Sequence, residues 1–256
     1  MQSTLKLLRA NRVGLALSGG SVRGLAHIGV IKVLNELEIK PVVVAGTSVG
    51  SIIGAAVAAG REWHEIADLA RSIFWPRLLH GKSLEQFAKQ HLPHEFDQLE
   101  TTFAAVASEV RSHQSHPVTS GSLPSAISAS CALWLRRPVT REGVKLKDGG
   151  YTCVLPAQVC RELGAEFVIA SDVWDWSSLM RTLGLSPQQA PRAYPSHYRV
   201  ALAQTDIHIQ PRIPLAGHFP GKSAVDRMIA VGELAARRAL LPFFADQTRT
   251  KLFTHI

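Results

Sequence analysis

A chain of 256 residues, 46% hydrophobic and 19% charged, is long and apolar enough to bury a core without disulfide or metal staples, which excludes a disordered tail or a solvated coiled coil. Lys and Arg (28) outnumber Asp and Glu (20), and the resulting +8 favours anionic partners such as nucleic acid or an acidic membrane surface while saying nothing about fold. The three cysteines, Cys131, Cys153 and Cys160, are odd in number and lack CxxC spacing, so neither a disulfide framework nor a cysteine zinc site is expected, and a reducing compartment fits.

From Met1 to Arg12, three leucines stand among Lys6, Arg9 and Arg12. That patch is too short for a signal-peptide core and no small-residue cleavage site follows, so the chain reads as unprocessed and cytoplasmic. Val13 to Leu17 reads as a short buried strand. Ser18-Gly19-Gly20-Ser21 breaks it, and a helix starts near Arg23, with Leu25, Ile28, Ile31, Leu34 and Leu37 at helical spacing. The uncharged run from Pro41 to Gly60 is long enough to span a bilayer. Its interior argues otherwise: Val42-Val43-Val44 is β-branched, Gly46-Thr47-Ser48-Val49-Gly50 punctuates it, and small residues follow from Ser51 to Ala59. Buried strand, sharp turn and buried helix is the reading, because one continuous helix would have to carry Gly46, Gly50 and Gly54. Strand, Gly-rich turn, helix and strand make a βαβ unit, which implies a parallel sheet covered by helices.

Further helices are expected from Trp63 to Phe74, with Trp63, Ile66, Leu69, Ala70 and Ile73 on one face, and from Ser83, capped by that serine with Gln86 reaching back. Strands are expected at Thr102 to Ala107, Val144 to Lys147, Phe167 to Ser171 and Ile207 to Gln210. The stretch from Ser177 to Arg199, holding Gly184, Pro187, Pro191 and Pro195, reads as a long mobile loop. A final helix from Ala224 to Phe244 would turn Val225, Met228, Ile229, Leu234 and Ala235 inward. Without repeats or a linker, residues 1–256 read as one α/β domain with a mostly parallel central sheet flanked by helices.

Gly46-Thr47-Ser48-Val49-Gly50 is a GxSxG motif between a strand and a helix. In that setting a serine exposes its Oγ on a tight turn, and the following helix points N–H groups at developing negative charge. Ser48 serving only as a helix cap is the plainer alternative. The other turn, Ser18 to Gly24, presents unpaired amides to an anion. It does not match a dinucleotide fingerprint, since Ser21 stands where the middle glycine belongs and Ala45-Gly46-Thr47 where a ribose-binding acid belongs. The Gly-Lys-Ser triplets at Gly81 and Gly221 are not P-loops, because Pro76 and Ala216 replace the first glycine.

Two such turns on neighbouring βα units suit acyl transfer, one bringing a nucleophile and one oxyanion donors. A base is also needed. Asp148, in the turn Asp148-Gly149-Gly150, is one candidate, with an ordinary type I′ turn as its alternative. Any of eleven histidines is another, and general chemistry prefers a histidine, whose pKa of about 6.5 suits pH 7 better than an aspartate's roughly 3.9.

The order Gly-Gly-x-x-Arg-Gly, Gly-Thr-Ser-Val-Gly-Ser and Asp-Gly-Gly resembles the patatin-like phospholipase family, particularly its short bacterial members. Leu25-Ala26-His27-Ile28-Gly29-Val30 and Ala129-Ser130-Cys131-Ala132 extend the similarity to about Ser171. The resemblance implies a patatin-like three-layer fold and a Ser-Asp dyad without a catalytic histidine. Ser48 would be the nucleophile, flanked by Gly46 and Gly50, and Asp148 the base, in a turn closed by Gly149 and Gly150. Gly19, Gly20, Ser21, Val22 and Gly24 would lie on the oxyanion loop, with Arg23 holding its shape. Ser21 departs from the family's third glycine, and Leu133 to Arg137 from its small, proline-rich residues.

The function implied is hydrolysis of lipid esters, whether phospholipid, lysophospholipid or another fatty ester, with no metal or organic cofactor and no nucleic acid. One alternative is a Ser-Asp-His triad using His197 or His208; another is a lipid-binding or regulatory protein without turnover. His27 reads as a packed core residue, and His113, His116 and Arg111 as a solvated loop. Trp174 and Trp176 would rim a lipid-facing opening or form a sheet-end aromatic cluster. Arg136, Arg137, Arg141, Lys145 and Lys147 would face an anionic membrane or form a solvated hairpin.

Overall fold

The structure, a computed structural model, describes residues 12–73, 82–133, 136–174, 194–213 and 222–252. Strand β1 (Val13–Leu17) is buried along its whole length, as a strand covered on both faces must be. A 3-10 turn (Ser21–Leu25) runs straight into helix α1 (Ala26–Glu36), whose Ile28, Ile31 and Leu34 are buried. The uncharged run divides into β2 (Val43–Thr47) and α2 (Val49–Ala58) with Ser48 between them, the strand–turn–helix alternative to a membrane span. No helix among the described residues is long and apolar enough to cross a membrane.

After α3 (Trp63–Ser72) and α4 (Lys82–His91), the chain forms β3 (Thr102–Glu109), β4 (Ser115–Val118), α5 (Leu123–Ser130), β5 (Val139–Arg141) and β6 (Val144–Asp148). Then come α6 (Ala157–Glu162), β7 (Phe167–Ser171), α7 (Ser196–Ala203), β8 (Ile207–Ile209) and α8 (Lys222–Leu252). The sheet order is β5-β6-β3-β2-β1-β7-β8, with β4 also paired to β3. The strands β3, β2, β1, β7 and β8 run parallel, whereas β4, β5 and β6 bring antiparallel pairing to one side. Alternation along β1 sends Leu15 and Leu17 into a core shared with α1, α2, α5 and α8, and Ala16 into a second core with α6 and α7. The result is three layers, helix on sheet on helix.

Helices α1 and α8 cross at two glycines. A Cβ on Gly29 would sit 1.9 Å from the Ile229 carbonyl oxygen, and one on Gly232 would sit 1.8 Å from that of Ala26. Backbone meets backbone there, and no side chain fits.

Some sequence expectations need correction. Residues 196–199, the end of the expected loop, open helix α7, with Pro195 at its N-cap (φ −53°), where its fixed φ and missing N–H do no harm; residues 177–193 of that stretch, and Trp176, lie outside the described residues. His116 lies in β4 opposite Ala107 rather than in a loop. Ser83 lies inside α4, not ahead of it. Leu234 is half exposed, while Val225, Met228 and Ile229 face the core as expected. Residues 1–11, Phe74, Trp134, Leu135, Gly81 and Gly221 also fall outside the described residues.

Candidate active site

Ser48 joins β2 to α2 with φ 53° and ψ −124°, a left-handed backbone that costs of order 1–3 kcal/mol in a residue with a Cβ. The flanking glycines make the bend sterically possible. A Cβ on Gly46 would lie 2.2 Å from the Gly50 carbonyl oxygen, and one on Gly50 would lie 2.3 Å from that of Leu17. Three hydrogen bonds hold the bend. The Ser48 amide donates to Ser130 Oγ (2.9 Å), Ser130 Oγ to the Val106 carbonyl (2.6 Å), and Ser51 Oγ to the Ser48 carbonyl (2.6 Å). The Ser48 side chain makes no capping hydrogen bond to α2, so the plain helix-cap alternative does not describe it.

Sheet register sets what faces this serine. Ser48 follows Thr47, whose partner Val106 precedes Ala107, and Ala107 pairs with Asp148. One hundred positions apart in sequence, Ser48 and Asp148 are thus brought to the same level of the sheet, about two strand spacings apart. Asp148 leads a 3-10 turn (Gly149–Tyr151), not a type I′ hairpin, and its Oδ1 accepts the Gly150 amide at 2.8 Å. Its main chain is fixed on both sides: its amide donates to the Ala132 carbonyl (3.0 Å) and its carbonyl accepts from Ser108 Oγ (2.8 Å).

The Asp148 side chain is buried, and among the described residues Oδ2 has no hydrogen-bond partner. Burial pushes its carboxyl up to about 6, against the opposing pull of the Gly150 amide, the Ser48 hydroxyl and the Arg136 guanidinium. The Ser48 hydroxyl acts on this carboxylate without a hydrogen bond of ordinary length to Oδ2. Beside them lies the Cys131 thiol, pushed up to about 12 by burial and by the Asp148 charge, and so inert.

The other Gly-rich turn packs against the same corner. Gly19 gives its amide to the Val154 carbonyl (2.9 Å), whereas Ser21 and Val22 begin a 3-10 turn, where amides have no partner within the turn. Ser21, standing where the family resemblance leads one to expect glycine, adopts φ 54°. Arg23 Nε donates to the Gly20 carbonyl at 3.2 Å, a bond that braces the loop.

Among the described residues no histidine lies within hydrogen-bond distance of Ser48 or Asp148. His27 is fully buried between Ser171 Oγ (2.7 Å from Nδ1) and the Ser18 carbonyl (3.0 Å from Nε2), and burial lowers its pKa to about 4. Facing a carbonyl, Nε2 must carry the proton, so Nδ1 accepts from Ser171. His208 pairs with Asp172 instead (3.1 Å). His197 lines a separate cavity of about 360 Å³ with Thr152, Cys153, Val159 and Val200. Of the basic cluster, Arg141 is tied to the Ser120 and Ser122 carbonyls and Arg136 to that of Cys131, leaving Arg137 and Lys145 exposed.

Sequence reading missed Ser130, Ser108 and Asp172. Ser108 carries no motif of its own, and Ser130 stood in the Ala129-Ser130-Cys131-Ala132 match without a role assigned to it; Asp172 had one signal, an acid directly after a strand of apolar residues.

A family model described as patatin-like phospholipase matches residues 15–161. The chain is similar to patatin-like phospholipase domain-containing protein 6 of Homo sapiens, at 33% identity over 66% of this chain and 14% of that protein. It is also similar to patatin-like phospholipase domain-containing protein ZK370.4 of Caenorhabditis elegans (30%, with the same shares) and to neuropathy target esterase sws of Drosophila melanogaster (31%, 65% and 13%). It spans about a seventh of the length of these relatives. Among solved structures it resembles VipD from Legionella pneumophila, with a TM-score of 0.62 at 12% identity over 91% of this chain and 67% of that one. The type III effector ExoU gives 0.50 at 12% identity over 91% and 53%. Both likenesses are of fold.

Proposed function

The chain belongs to the patatin-like phospholipase family, and from that premise we propose that it hydrolyses lipid esters through a dyad of Ser48 and Asp148. One observation supports this most directly: a buried carboxyl oxygen with no partner among the described residues, on the same sheet level as a serine held in a strained bend. A pKa of about 6 makes this carboxylate a stronger base than an ordinary aspartate while leaving it mostly ionised at pH 7.

In the proposed reaction Ser48 Oγ attacks the ester carbonyl carbon as its proton passes to Asp148. The negative charge that develops on the carbonyl oxygen is met by amides at the start of the Ser21–Leu25 turn, with the N-terminus of α2 behind the serine. Collapse breaks the bond to the alkoxy oxygen, which leaves with the proton from Asp148. Water then attacks the acyl-Ser48 ester, giving its proton to Asp148, and the fatty acid departs as Ser48 recovers its hydrogen.

The substrate is a phospholipid, lysophospholipid or related fatty ester. Tyr151 (51% exposed) and Leu133 (39%) flank the acid turn, near exposed Arg137 and Lys145, and this combination suits peripheral contact with an anionic membrane. A fluorophosphonate probe tests the nucleophile. Labelling and chromogenic ester turnover should both disappear in Ser48→Ala. Labelling that persists in that variant overturns the assignment, and a wild-type protein that neither labels nor turns over supports a lipid-binding protein instead.

A further inference from the structure

Just beyond β7 lies a buried carboxylate for which acyl transfer has no use. Asp172 is 0% exposed, and burying such a charge among apolar strands is costly unless donors surround it. Donors come from several elements. Tyr198 on α7 donates its hydroxyl to Oδ2 at 2.5 Å, and His208 Nε2 on β8 lies 3.1 Å from the same oxygen. Oδ1 accepts the Trp174 amide at 2.9 Å, a bond to the residue two positions on that bends the chain as it leaves the sheet. That bend seats the Trp174 ring against Arg23, whose guanidinium carbon lies 4.8 Å from the ring centroid. Val173 is fixed alongside, its amide donating to Ser18 Oγ at 2.9 Å.

The geometry points to Asp172 and Trp174 as positioning residues for the oxyanion loop, an inference that rests on the function proposed above. Arg23 bonds the Gly20 carbonyl. In a planar trans peptide that carbonyl and the Ser21 amide point in opposite directions, so pinning the one aims the other. The indole holds the guanidinium in place, and the Asp172 bend holds the indole. This chain needs the brace because Ser21 occupies a left-handed backbone that glycine would adopt freely. An unbraced loop would relax out of it, turning the amide away from the oxyanion.

A double-mutant cycle tests this on the whole chain, with folding of each variant checked by circular dichroism. For a chromogenic fatty acyl ester, Trp174→Ala should lower kcat about tenfold and leave KM within about twofold, the scale of one lost cation–π contact felt in the transition state. Trp174→Phe should recover most of the loss. Combined with Arg23→Ala, Trp174→Ala should add nothing further, since both act through one contact. Losses that multiply, or a loss confined to KM, overturn the inference. If an alanine variant does not fold, Trp174→Leu and a thionoester substrate decide it. The ratio of ester to thionoester turnover should fall when oxyanion contacts loosen, and an unchanged ratio overturns the inference. Ser48→Ala, run in parallel, separates the two claims. Full turnover in it overturns the proposed function and this inference together, whereas a dead Ser48→Ala beside multiplicative losses overturns the positioning alone.

Discussion

Asp148 carries its charge where burial resists it, and that has opposite consequences for chemistry and stability. Its folded pKa of about 6 lies above the ordinary 3.8, so the native state holds the proton more tightly than the unfolded chain. The associated stability is fully present below pH 4 and is lost as pH rises through 6, about 3 kcal/mol at ~1.4 kcal/mol per unit. Asp148→Asn keeps the bond from Gly150 but removes the charge. It should raise Tm at pH 8, change it little at pH 4, and lower kcat about 10²–10⁴-fold; thermal melts at both pH values and one rate measurement check all three. Wild-type kcat/KM should fall as pH drops below 6, where Asp148, the proposed base, is protonated. His27 has the reverse sign: with its pKa held near 4, its stability is present above pH 6.5 and lost as pH falls toward 4. Between pH 6 and 4 the two residues offset each other, so activity is expected to fade in acid without a net loss of stability from this pair. At Ser21, replacement by glycine should relieve left-handed strain and raise stability by about 1 kcal/mol, read as a shift in urea midpoint at constant m.

At the level of elements, the α1–α8 crossing is the most exacting contact. A methyl at Gly232 would meet the Ala26 carbonyl, so Gly232→Ala should cost about 1–3 kcal/mol or more as the helices separate. Because α1 starts where the Ser21–Leu25 turn, the proposed oxyanion loop, ends, the same variant should also lose activity, measurable in esterase assays below its Tm. Strands β1 and β7 were legible to the residue, because short buried apolar runs between breakers have few other readings. Helix α5, Leu-Pro-Ser-Ala-Ile-Ser-Ala-Ser, was not, since its small residues are buried nearly all round and leave no amphipathic stripe. Strands β4 and β5 are short pieces whose conformation comes from pairing with β3 and β6, a non-local cause. Ser48 stood out from its motif and setting, and its place between β2 and α2 is as expected. The choice between Asp148 and a histidine could not be made from residues alone, because basicity is set by burial that only the assembled sheet provides. Family resemblance supplied that choice. Trp174 was noticed as a rim aromatic, but its contact with Arg23 joins segments some 150 positions apart, and no local pattern encodes it.

Over the whole molecule, the +8 charge and the exposed group of Tyr151, Leu133, Arg137 and Lys145 lead to an expectation about vesicles. Each basic residue near an anionic surface contributes about 1 kcal/mol, so Arg137→Ala with Lys145→Ala should weaken binding to phosphatidylserine vesicles roughly 30-fold at low salt. Salt should abolish the difference, since screening acts over about 8–10 Å. Sedimentation with anionic and neutral vesicles checks this. Binding that ignores lipid charge would count against membrane contact through this group.

The central place of β1 also bears on synthesis. One of its edges can pair with β2 almost at once, but its other partner, β7, comes about 150 residues later, which at 5–20 residues per second is ~8–30 s of translation. Through that interval the nascent chain holds an apolar strand with one row of amides and carbonyls open, a template for a neighbouring chain on the same polysome. Crowded overexpression should therefore favour inclusion bodies, and a ribosome-associated holdase that covers the open edge should raise the yield of folded protein.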